Sequence, residues 1–95
     1  MRANLLVIYT TRREECRRFY ASLGLAFQAE QHGSGPPHHA AVLPDGMVFE
    51  IYPAATGTTG PLRLGFAVET LPGYAAGRHL LHDPDGRTVE LHIER

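Results

Sequence analysis

Two short turn signatures, each set between β-rich runs, constrain this chain more than anything else in it. Pro44-Asp45-Gly46 joins residues 39–43 to residues 47–52, and Asp83-Pro84-Asp85-Gly86 joins residues 78–82 to residues 88–94. An Asp-Gly pair in this setting signals a hairpin, because glycine reaches the positive φ that a tight turn needs. Residues 4–9 are apolar on both faces, as in a strand covered on two sides, and residues 25–30 form a further strand before the first hairpin. Ahead of the second hairpin, Leu62, Leu64, Phe66 and Val68 alternate with Arg63, Gly65 and Ala67, the period of a strand. Residues 54–61 are Thr, Gly, Ala and Pro, a linker by composition. The predicted order is β-α-β-β-β, linker, β-β-β. This is an α+β chain built as one module (residues 1–53) and a shortened copy of it (residues 62–95), together forming a single domain over residues 1–95.

Between the first two strands lies a helix. Cys16, Phe19, Tyr20 and Leu23 fall at i, i+3, i+4 and i+7, one apolar stripe. Glu14 and Glu15 open it and Arg17 and Arg18 lie toward its end, the order that suits the helix dipole. Thr11-Arg12-Arg13-Glu14 has the spacing of a capping box, and Gly24 is placed as a left-handed cap. Residues 71–77 contain Pro72 and Gly73 and are expected to form no more than a turn.

Ninety-five residues leave a thin core. The net charge of -1 lacks the basic excess of a nucleic-acid surface, so no nucleic acid is expected as a partner. All nine basic residues are arginine, which excludes a lysine nucleophile. One cysteine excludes an intramolecular disulfide and any multi-cysteine metal site. That residue, Cys16, sits on the apolar stripe and reads as packing. No apolar run approaches the roughly 18 residues of a membrane span. With no membrane partner and no leader pattern ahead of residues 4–9, the expected compartment is the cytoplasm. Gly33-Ser34-Gly35 precedes a strand, so it is not a phosphate-binding loop.

Four local patterns together resemble the vicinal oxygen chelate superfamily of glyoxalase, bleomycin-resistance and ring-cleaving dioxygenase proteins. Phe19-Tyr20-x-x-Leu23-Gly24-Leu25 resembles the end of that family's first helix. Phe49-Glu50-Ile51-Tyr52 and Leu64-Gly65-Phe66-Ala67-Val68 resemble its fourth and fifth strands. Asp83-Pro84-Asp85-Gly86-Arg87-x-Val89-Glu90-Leu91 resembles its C-terminal signature. The resemblance implies an open cup built from paired βαβββ modules. It also implies a divalent metal held by His and Glu side chains of the first, fourth, fifth and last strands.

Carried onto this sequence, those positions fall on Leu5 (or Asn4), Glu50, Arg63 and Glu90. Both carboxylates remain and both imidazoles are lost. A guanidinium does not ligate metals. Arg63 is expected to pair with one carboxylate, either as a plain ion pair or as an anchor for an anionic ligand. No cofactor is therefore expected; the alternative is a divalent metal such as Zn, Ni or Fe on Glu50, Glu90 and His39. The expected ligand-binding residues are Tyr9, Glu50, Tyr52, Arg63, Glu90 and His92, with the two tyrosines placed to stack on a flat ligand. His38 and His39 are adjacent, so on a strand they face opposite ways; His39 is the one that could join Glu50. His92 shares a strand face with Glu90, and a set drawn from Glu90, His92 and either His39 or His82 matches no known spacing. His32 flanks the Gly/Pro loop, and His79 is expected at the surface.

Residues 69–77 are too few for the second module's helix, yet the face that helix would cover stays apolar. Exposing Leu62, Leu64, Phe66, Val68, Val89, Leu91 and Ile93 would cost on the order of 10 kcal/mol at ~1.5–3 kcal/mol each. An exposed patch of that kind marks an interface, so a homodimer through residues 62–68 and 89–93 is expected. The leading functional reading is a small-molecule binding protein without a metal, holding a small organic ligand in the cup. Two others stand beside it: a metal-dependent lyase, isomerase or dioxygenase on Glu50 and Glu90, and a dimeric interaction protein with no ligand.

Overall fold

The computed structural model describes residues 1–95. Its elements run β1 (Leu5–Thr10), α1 (Arg13–Ala21), β2 (Phe27–Glu30), β3 (His38–Val42), β4 (Val48–Pro53), β5 (Arg63–Val68), β6 (Gly77–His82) and β7 (Thr88–Ile93). They fall into two compact units, Met1–Thr59 and Gly60–Arg95. The first is a complete βαβββ module and the second an all-β remnant of one.

In the first unit the sheet order is β1-β4-β3-β2. β1 runs parallel to β4, which demands a crossover, and α1 supplies it. The helix buries Cys16 and Tyr20, and Leu23 just past its end is buried as well, with Tyr20 set edge-on to Phe49 at 4.9 Å. Ile8, Ala41, Phe49 and Ile51 complete this core from the sheet. Phe19, on the same expected stripe, is only half-buried. Gly24 takes φ +109 and closes the helix end. On the outer edge of β1, Thr59 Oγ1 accepts the Tyr9 N–H at 2.8 Å and the Thr59 N–H returns to the Tyr9 carbonyl at 2.9 Å.

The capping box does not form. Arg12 is the N-cap residue and makes no side-chain cap. The buried Thr10 hydroxyl takes the Arg12 N–H at 2.9 Å, and Glu14 is engaged by Arg17, whose Nε lies 2.9 Å from Oε2. The helix therefore starts one residue late for Thr11 to cap it.

In the second unit the order is β5-β7-β6. β5 runs parallel to β7 with no helix between them, and residues 69–76 hold only a turn closed by the Tyr74 N–H to the Leu71 carbonyl at 3.1 Å. The expected bare apolar face is not bare. Leu64, Val89, Leu91 and Ile93 are buried within the single chain, and Leu62, Phe66 and Val68 are half-buried. The large exposed apolar side chains lie elsewhere, at Met1, Leu5, Tyr9, Val42 and Leu80.

Both hairpins form, and they share one geometry. The Gly46 N–H bonds the Leu43 carbonyl at 2.8 Å, and the Gly86 N–H bonds the Asp83 carbonyl at 2.8 Å. Both glycines take the positive φ that the turn requires, +92 and +87. The second turn is also pinned from inside. Asp83 and Arg87 are buried, with Arg87 Nη1 at 2.9 Å from Asp83 Oδ2 and 3.0 Å from Asp85 Oδ2. Asp83 Oδ1 accepts the backbone N–H groups of Asp85 and Arg87, each at 2.9 Å.

Candidate functional site

Residues level with one another across a ladder share a sheet face. In the first unit Glu50 is level with Val7 and Ala40, and His39 is level with Ile51. His39 therefore points to the helix side. There its Nε2 lies 3.6 Å from Glu14 Oε2, and burial, with Arg13 adding to it, holds its pKa below the ordinary 6.5. The expectation that His39 joins Glu50 is corrected: His38 does.

His38 is buried, and its Nε2 lies 3.2 Å from Glu50 Oε2 and 3.5 Å from Glu30 Oε1. His32 Nε2 approaches the same Glu30 oxygen at 3.5 Å. The His38 ring stacks on Tyr52, centroids 4.1 Å apart and planes within 9°. Tyr52 in turn meets Tyr9 at 5.7 Å. Burial raises the Tyr52 phenol above its usual pKa, and the charge of Glu50 adds to this.

The loop carrying His32 is built for close approach. The Gly35 N–H bonds the His32 carbonyl at 2.9 Å, and a Cβ at Gly35 would stand only 3.0 Å from that oxygen. Arg13 donates to the Pro37 carbonyl and ties the entry to β3 onto the start of α1.

The second unit places Glu90 level with Gly65 and Leu80, and His92 level with Ala67 and Arg78. Arg63 grips Glu90 with both arms, Nη2 to Oε1 at 3.2 Å and Nε to Oε2 at 3.3 Å. This pairing drives the Glu90 carboxyl below its usual pKa and raises Arg63. Gly65 and Ala67 carry almost no side chain on this face. The result is a shallow depression of about 270 Å³, lined by Gly65, Phe66, Ala67, Arg78, Glu90, Leu91 and His92. Arg78 forms no ion pair of its own, although its charge reaches Glu90.

The expected site residues thus divide. Tyr9, Glu50 and Tyr52 lie together in the first unit; Arg63, Glu90 and His92 lie in the second. Sequence reasoning missed Glu30, His32 and His38 as a group, and it missed Arg78. The turn at Asp45-Gly46 held the signal for His38. A turn closed by Leu43 and Met47 pairs Val42 with Val48 and His39 with Ile51, and one further step brings His38 level with Tyr52.

Neither a protein-family model nor a curated protein matches the sequence. Solved structures do match. Oxidase ChaP-H2 aligns with 100% of this chain and 94% of its own length, at TM-score 0.69 and 17% identity. A possible glyoxalase from Bacillus cereus aligns with 98% of this chain and 99% of its own, at TM-score 0.65 and 13% identity. A glyoxylase/bleomycin resistance protein/dioxygenase domain from Frankia sp. EAN1pec aligns with 100% of this chain and 98% of its own, at TM-score 0.64 and 17% identity. The chain has the vicinal oxygen chelate fold.

The metal that the vicinal oxygen chelate fold implies does not fit the residues at its usual positions. Leu5 is an exposed hydrocarbon at the first. At the third, Arg63 is a permanent cation already bonded to both oxygens of the Glu90 carboxylate, which is itself the last. Only Glu50 retains a donor not held by arginine.

Proposed function

We propose that the protein is a small-molecule binding protein of the glyoxalase/bleomycin-resistance type, and that it takes a small organic anion in the depression of the second unit. The carrying observation is the depression itself, floored by Gly65 and Ala67 and edged by Arg78, Glu90 and His92. Arg63 offsets the charge of Glu90, so Arg78 leaves the rim net positive. A guanidinium with free donors suits a carboxylate, which it can bond bidentately. The volume lies just below the range for ligand pockets, about 300–1,000 Å³, so the fitting ligand is one flat ring or a short-chain acid. A lyase, isomerase or dioxygenase reading would require a metal at the inherited positions, where the residues do not suit one, and no catalytic step is assigned.

Calorimetric titration of the full chain with small aromatic and aliphatic carboxylates, against their neutral amides, tests this reading. The acids should bind and the amides should not. Arg78→Gln should weaken acid binding at least about tenfold, the loss expected for one charge-assisted hydrogen bond. Equal binding of acids and amides, or unchanged binding in Arg78→Gln, overturns it.

A further inference from the structure

We propose that Glu30, His32 and His38 form a divalent-metal site, suited to Zn²⁺, on the face of the first unit's sheet opposite α1. None of these residues stands on the strands from which the vicinal oxygen chelate fold usually draws its metal ligands. Glu30 ends β2, His32 follows it in the loop, and His38 opens β3. The proposal is independent of the anion site in the second unit.

Geometry is the first support. The three donor atoms lie within 4.8 Å of one another, and two of the separations are 3.5 Å. Around an ion bonded at about 2.0–2.2 Å, the edges of a tetrahedron are about 3.3–3.6 Å long. Two of the three separations already stand near the spacing that a zinc ion would impose, and the third lies within 4.8 Å.

Proton bookkeeping on His38 is the second. Its Nδ1 lies 3.1 Å from the Pro36 carbonyl, and a carbonyl can only accept, so Nδ1 carries a proton. In the neutral ring Nε2 is then a bare lone pair. That nitrogen is buried, makes no hydrogen bond, and faces carboxylate oxygens of Glu50 and Glu30 at 3.2 and 3.5 Å. Three acceptors turned toward one another repel unless a metal cation, or a proton on Nε2, lies among them. An Nδ1–H bonded to a backbone carbonyl is also the arrangement that orients a metal-bound histidine. The Tyr52 stack fixes the ring plane, so little side-chain freedom is left to lose on binding.

Charge is the third. The carboxylates of Glu30 and Glu50 stand beside the imidazoles of His32 and His38, an arrangement that suits a dication. Nitrogen and carboxylate oxygen are donors that zinc accepts, and two histidines with one glutamate leave a fourth position open.

The test uses the full chain, stripped with a chelator and titrated with ZnCl₂ near pH 7.5. One ion per chain should bind with a micromolar or tighter Kd. His32 is exposed and His32→Ala should fold normally; it should weaken binding at least about tenfold, as should Glu30→Gln. His38→Ala is less informative because its ring is part of the packing, so the ¹⁵N resonance of His38 Nε2 in the unaltered protein serves instead and should shift on zinc addition. His79→Ala, in the second unit, should leave binding unchanged. Absence of stoichiometric zinc, or full affinity in His32→Ala and Glu30→Gln, overturns the proposal. A His38 resonance showing both nitrogens protonated and indifferent to zinc also overturns it, and would identify an imidazolium bridging two carboxylates.

Discussion

Glu50 and Glu90 occupy equivalent places in the two units. Each is level with a residue of its unit's first strand, Val7 or Gly65, and with a residue of the neighbouring antiparallel strand, Ala40 or Leu80. Their surroundings are opposite. Glu50 faces the buried Nε2 of His38 at 3.2 Å, whereas Glu90 is held by Arg63. One of the two equivalent positions thus faces an imidazole and the other is closed by a guanidinium. The fold sets where a carboxylate stands, and the side chain diagonal to it sets the charge that the carboxylate meets.

The units differ as much in how they are held. The first packs a helix on its sheet. The second has no helix, and the buried Asp83–Arg87 pair pins its only hairpin. Breaking that pair should give the largest effect of any change considered. Arg87→Ala leaves a buried carboxylate uncompensated and should cost about 3–5 kcal/mol, read as a lower urea midpoint. Removing the turn carboxylate of the first hairpin should be far milder. Asp45 is exposed and its Oδ1 accepts one N–H, from Met47 at 3.0 Å, so Asp45→Ala should cost about 0.5–1.5 kcal/mol. Equal losses at the two turns would break the contrast.

The turns were legible in the sequence because Asp-Gly chemistry is local, and the helix was legible because its stripe repeats over seven residues. What failed was set by a shift of one residue or by contacts far along the chain. Thr10 rather than Thr11 supplies the hydroxyl at the helix start, since burial of Thr10 turns its side chain inward. His39 was preferred to His38 because strand parity cannot be read until register is fixed, and a shift of one residue exchanges the faces. Arg78 was overlooked because its value lies in being unpaired, and that depended on Glu90 being taken by Arg63. The buried state of Val89, Leu91 and Ile93 could not be inferred from alternation, which identifies a face without saying what covers it.

A pair of matched substitutions sharpens the contrast between the two carboxylates. Glu50→Gln should weaken zinc binding severalfold and leave anion binding unchanged. Glu90→Gln should leave zinc binding unchanged and tighten anion binding a few-fold, because it removes a like charge from the rim and frees Arg63 to bond the ligand. Calorimetry on both variants with ZnCl₂ and with a carboxylate reads all four outcomes. Any cross-effect larger than a factor of two would mean that the two surfaces do not act separately.

The smallest expected effect concerns acid stability. Arg63 holds the Glu90 carboxyl below its ordinary value of 4.5. A group whose pKa is lower folded than unfolded binds fewer protons in the folded state. Its contribution is therefore complete above the unfolded value and is lost as pH falls through the folded one. Urea denaturation of the unaltered protein and of Glu90→Gln should differ by a constant amount from pH 7 down to the ordinary carboxylate range, and the difference should shrink below it. Arg63→Gln should trace the same curve, because both variants delete one pair. The amplitude should be small, since both groups face solvent, where ion pairs are screened. A difference that grew on acidification would mean that Glu90 is protonated more readily folded than unfolded, and the reading of Arg63 as its neutralising partner would fall.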